Sequence, residues 1–67
     1  MDADRVEVSW DAGKSRWLIR IEVGAEVIRR HAKEPQNADD RTLQTAAEKC
    51  AGDEGYQVSP GKISVRR

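Results

Sequence analysis

Residues 5–23 read Arg-Val-Glu-Val-Ser-Trp-Asp-Ala-Gly-Lys-Ser-Arg-Trp-Leu-Ile-Arg-Ile-Glu-Val, and this stretch decides the fold. Apolar side chains recur at every second position, at Val6, Val8 and Trp10, then at Trp17, Ile19, Ile21 and Val23. That period marks half-buried strands. Between the two runs lies a short loop in which Gly13 is expected to supply a positive φ. With a four-residue loop at 12–15, Trp10 falls opposite Trp17, Val8 opposite Ile19 and Val6 opposite Ile21. The same register sets Asp11 against Arg16, Glu7 against Arg20 and Arg5 against Glu22. Three apolar pairs line one face and three opposite-charge pairs the other, each pair contributing roughly 0.2–1 kcal/mol. A slip of one residue would bury every charge.

Working outward, Gly24-Ala25 predicts a two-residue turn with glycine first, followed by a third strand over Glu26 to Lys33 with Ile28 opposite Ile21. Arg30 then points inward, as expected of an edge strand that resists pairing with other chains. Pro35 ends that strand. Asp39 or Asp40 is a candidate helix N-cap, and with Asp39 as cap Ala38 and Leu43 occupy the staple positions. Leu43, Ala46, Ala47 and Cys50 form a narrow apolar stripe of mostly small residues, so the helix can lie close to a sheet under the two tryptophans. Gly52 or Gly55 ends the helix. Beyond it Tyr56, Val58, Ile63 and Val65 predict extended chain, and Ser59-Pro60-Gly61-Lys62 suits a type II turn. This last segment reads equally as a hairpin or as one interrupted strand.

The expected fold is therefore α+β: a small antiparallel sheet of three or four strands with one helix on one face, in the order β-β-β-α-β. The 67 residues make a single domain, 1–67, with 1–4 and 66–67 expected to fray. A chain this short buries only about 60% of the surface it exposes when unfolded. One cysteine excludes an intrachain disulfide, and with a single histidine it cannot assemble the four ligands of a structural zinc site. No metal and no cofactor is expected. The longest apolar run, Trp17-Leu18-Ile19, is far short of a membrane helix. The opening Met-Asp-Ala-Asp lacks a basic or apolar leader, and the lone cysteine suits a reducing compartment, so the predicted location is cytoplasmic.

Candidate chemistry is sparse. His31 falls opposite Leu18 on the face away from the helix, between Arg29 and Lys33, with no carboxylate predicted to orient its ring, and reads as a surface histidine. Cys50 reads as a buried structural thiol. Gly61-Lys62 lacks the remainder of a phosphate-binding loop. No pair of acids is set apart for proton transfer. A catalytic role is not expected.

Charge distribution stands above this background. Residues 34–55 hold six acids and two bases, whereas 5–33 hold seven bases and four acids, although the chain is neutral overall. The predicted registers place Arg20 opposite Arg29 and Arg16 opposite Lys33. Together Arg16, Leu18, Arg20, Val27, Arg29, His31 and Lys33 form the candidate interaction surface. Arginines mixed with Leu18 and Val27 suit a protein interface, either with a protein partner or with a second copy as a homodimer. Binding of nucleic acid or another polyanion is the alternative. It ranks second because a nucleic-acid domain has a pI above about 9, and because the open face lacks aromatics for stacking bases.

Overall fold

The two runs of alternating residues form β1 (Arg5–Asp11) and β2 (Arg16–Val23). They pair antiparallel in the predicted register, from Arg5 against Glu22 through Trp10 against Trp17 to Asp11 against Arg16. A computed structural model of the chain describes residues 2–66, with backbone alone at Pro60. In the connecting loop the Asp11 carboxylate accepts a hydrogen bond from the Gly13 N–H at 3.1 Å, and the Asp11 carbonyl accepts from Lys14 at 3.2 Å. The positive φ falls on Ser15, at 52°, and not on Gly13. The carboxylate of Asp11 holds the first part of the loop in a tight turn, so the left-handed step comes at its end, where the chain re-enters a strand.

Gly24, with φ of 58°, makes the second turn, and β3 (Glu26–Ala32) pairs antiparallel with β2. Ile28 lies opposite Ile21, His31 opposite Leu18 and Arg20 opposite Arg29, as predicted. The ladder stops at Trp17 against Ala32, one residue before the predicted end. There the chain leaves the sheet, and the Pro35 carbonyl accepts a hydrogen bond from the Trp17 indole Nε1–H at 2.8 Å.

The helix, α1 (Asp40–Asp53), starts from Asp39, whose carboxylate accepts from the Thr42 N–H at 2.8 Å. Ala38 and Leu43 are both buried, as a hydrophobic staple requires. Leu43, Ala47 and Ala51 are the fully buried side chains of the helix, while Ala46 and Cys50 pack at the margin. The apolar stripe thus runs one residue further than predicted, to Ala51. Gly55, not Gly52, terminates it. Its φ is 87°, its N–H donates to the Gly52 carbonyl at 3.0 Å, and Tyr56 donates to the Ala51 carbonyl at 2.8 Å. These two bonds are those of a Schellman motif.

The final segment corrects two expectations. Pro60–Lys62 form a 3₁₀ turn with the Lys62 N–H on the Ser59 carbonyl at 2.9 Å, and Gly61 has no positive φ, so the turn is not type II. It leads into β4 (Ile63–Arg66), which pairs parallel to β1, giving the sheet order β3-β2-β1-β4. The helix has carried the chain back along the sheet, so the strand it delivers runs beside β1 in the same direction. The fold is the predicted small α+β arrangement, with a parallel pair at one edge.

Residues 2–4, predicted to fray, are tied in. Asp2 bridges to Gln57, Ala3 is buried with its N–H on the Gln57 carbonyl at 2.8 Å, and the Asp4 carboxylate accepts from the Gly24 N–H at 2.6 Å. Arg66 lies within β4. The fraying predicted for Met1 and Arg67 falls outside the described residues. The core lies between the helix and one sheet face, with Val6, Val8, Trp17, Ile19, Ile21, Ile63 and Leu43 at its centre. Ala47 and Ala51 let the helix approach closely enough for Trp17 and the isoleucines to fill the layer. Arg30, on the core side of β3, reaches past the rim of this core to pair with Glu54 at the helix C-terminus.

Candidate functional site

Among the described residues no element covers the face of the sheet away from the helix, and its side chains fall in rows set by the strand registers. Val27 stands beside Glu22 and Arg5 in one row. Arg29, Arg20, Glu7 and Ser64 make the next, and His31, Leu18, Ser9 and Arg66 the one after. Arg16 and Asp11 close the sheet, with Lys33 just past the end of β3. Six of the seven predicted residues, all but Lys33, therefore share one face, but not one spot. Leu18 and Val27 lie on opposite sides of the Arg20–Arg29 row, so they do not merge into an apolar patch; from Val27 to His31 is roughly 13 Å of strand. The predicted pairing of Arg16 with Lys33 lies beyond the ladder.

Carboxylates divide this face into a neutral and a cationic half. The Glu22 carboxylate holds Arg5 at 3.0 Å and Arg20 at 3.8 Å. Glu7 sits between Arg5 at 3.4 Å, Arg66 at 3.7 Å and Arg20 at 3.9 Å. Arg20 thus leans toward β1, away from Arg29 directly opposite. One of its atoms, Nε, is buried with no hydrogen-bond partner among the described residues. Across β2 the situation reverses. Arg16, Arg29 and Lys33 make no ion pair among the described residues, so the half nearest β3 keeps its positive charge. Sequence alone does not place Arg66 on this face, because its position depends on β4 lying parallel to β1.

His31 departs from its prediction. Its Nε2 lies 3.3 Å from Oδ2 of Asp11, so a carboxylate does face the ring. The contact reaches diagonally across β2, and only the sum of two registers brings it about. It also explains why Asp11, opposite Arg16, makes no ion pair with it. The hydrogen bond from His31 holds the Asp11 carboxyl below its ordinary pKa; the N–H groups of Lys14 and Gly13 act the same way, while partial desolvation opposes them.

Cys50 is half-buried on α1, and burial, then the charge of Asp53, pushes its thiol pKa up. A raised pKa disfavours the nucleophilic thiolate. A cavity of 240 Å³ is lined by Asp2, Ala3, Gln57, Val58, Ser59 and Lys62, and a shallower one of 340 Å³ lies along the helix by Glu34, Arg41, Thr45 and Lys49. Neither touches His31. Among the described residues no group of three or more His, Cys, Asp or Glu is placed to hold a metal ion, and no helix is long and apolar enough to cross a membrane. No known protein family, curated protein or solved structure matches the chain.

Proposed function

We propose that this chain is a small non-catalytic binding domain that docks an acidic protein surface on the β2–β3 half of its open sheet face. The observation that carries the reading is that Arg29, Arg16 and Lys33 make no ion pair among the described residues, while Arg20, opposite Arg29, is already held by Glu7 and Glu22. An incoming carboxylate gives these uncompensated cations the partner that the chain itself does not supply. Arg16 and Lys33 extend the positive field, while Leu18 on one side and Val27 on the other, the latter 41% exposed, offer apolar contacts. Arginine beside exposed aliphatic surface is a combination enriched at protein interfaces. Docking of two open faces on each other is disfavoured, since both would present the same sign of charge. The lone, half-buried cysteine suits a reducing compartment and supports a cytoplasmic location.

Calorimetric titration with a glutamate-rich peptide and with duplex DNA, at about 50 mM salt, tests the reading. Peptide binding should weaken about tenfold with Arg29→Glu and also fall with Leu18→Asp, since both charge and apolar contact contribute. Binding to DNA alone, weakened by Arg20→Glu and Arg29→Glu but indifferent to Leu18→Asp, would transfer the site to nucleic acid. Absence of binding to either probe would overturn it.

A further inference from the structure

The two edges of the sheet differ in how they are protected. β4 offers four residues, too short an edge to template much pairing. β3 offers seven, Glu26–Ala32, and it carries the exposed Val27 and the partly buried Ile28. Among the described residues its outer edge faces no other strand, although the Arg29 carbonyl accepts a hydrogen bond from the Arg30 side chain at 2.9 Å, which a pairing strand would displace. We propose that β3 pairs antiparallel with β3 of a second copy, joining two domains into an eight-stranded sheet, and that charge selects one register.

Opposed residues in such a pair must share a sheet face, so the symmetry centre must fall on a residue. Centres at Ile28, Arg29 or Arg30 keep at least five residues of β3 in the ladder. Centring on Arg29 sets two arginines directly against each other. Centring on Arg30 does the same with Arg30 and adds Arg29 against His31. Centring on Ile28 sets the two isoleucines together at the core margin, Val27 against Arg29, and Glu26 against Arg30 twice. Glu26 makes no ion pair among the described residues, whereas Arg30 already holds Glu54. A guanidinium has five donors and can hold both carboxylates. The inward arginine therefore guards the edge against the other registers and admits this one. Both helices come to lie on the same side, and the open faces join into one surface.

Light scattering and sedimentation from about 10 µM to about 1 mM should show a dimer, since edge pairing of this size is expected to be weak. Glu26→Arg opposes arginine to arginine, and Arg30→Glu opposes glutamate to glutamate, so each variant alone should dimerise about tenfold or more weakly. Mixed in equal amounts, the two variants should form a heterodimer, because opposite charges meet again at both positions. Loss of fold in either variant would show in far-UV circular dichroism and would also prevent the rescue. A monomeric wild type at the highest concentration, or single variants that dimerise as well as wild type, would overturn the proposal. A mixture that stays monomeric would overturn the register.

Discussion

Trp10 and Trp17 face each other across the first hairpin with ring centroids 5.4 Å apart and planes at 71°. This edge-to-face contact is buried on the Trp17 side, where 1% of the residue is exposed, and half-buried on the Trp10 side. The geometry is one that aromatic pairs prefer. It places the indole of Trp17 under the chain entering the helix, where Pro35 accepts its N–H. Trp17→Ala should therefore cost about 3–5 kcal/mol, which in a domain this small means loss of the folded state. Trp10→Ala should cost less. Circular dichroism without denaturant shows the loss in Trp17→Ala, and urea unfolding measures the smaller cost of Trp10→Ala.

The helix ends supply a second pair of expectations. Asp39→Ala removes the acceptor for the Thr42 N–H and should lower stability by about 0.5–2 kcal/mol, whereas Asp39→Asn retains a cap and should be nearly neutral. Thermal unfolding resolves the difference.

The two glycines near the helix C-terminus should respond in opposite directions. Gly55 holds φ at 87°, which a side chain resists, so Gly55→Ala should destabilise by about 1 kcal/mol or more. Gly52 lies within the helix with open space where a methyl group would go, so Gly52→Ala should stabilise by about 0.5–1 kcal/mol. Equal effects at both positions would contradict the Schellman geometry.

Acid should act through Asp11. Its carboxyl titrates lower in the folded chain than in the unfolded one, chiefly because of the His31 hydrogen bond. Its contribution to stability is then present above the ordinary aspartate pKa of about 3.9 and is lost as pH falls through the lower, folded value. In Asp11→Asn that part of the acid dependence should vanish, as read from urea midpoints across the acid range. His31→Ala should flatten the same region, since it removes the main cause of the shift.

Cys50 should be sluggish. Burial and Asp53 raise its pKa, so a disulfide reagent at mildly alkaline pH should modify it more slowly than an unhindered thiol. Denaturant should restore the ordinary rate.

Local pattern was enough for the first hairpin, because a period-two alternation on both strands leaves one register in which no charge is buried. The same holds for the second turn, where Gly24 begins a loop too short to allow alternatives, and for the helix start at Asp39. Each of these rests on residues close in sequence. The β2 and β3 arginines of the open face follow from those registers alone.

What depended on distant parts of the chain was not readable. The direction of β4 follows from how α1 crosses the core, and with it came the position of Arg66 beside Glu7 and the anchoring of Ala3 by Gln57. The His31–Asp11 contact spans three strands, and the Arg30–Glu54 pair joins an edge strand to a helix end. Periodicity reports which face a residue occupies, because that is a property of the local backbone. Which residues meet on that face is decided by packing between elements, and only the folded chain settles it.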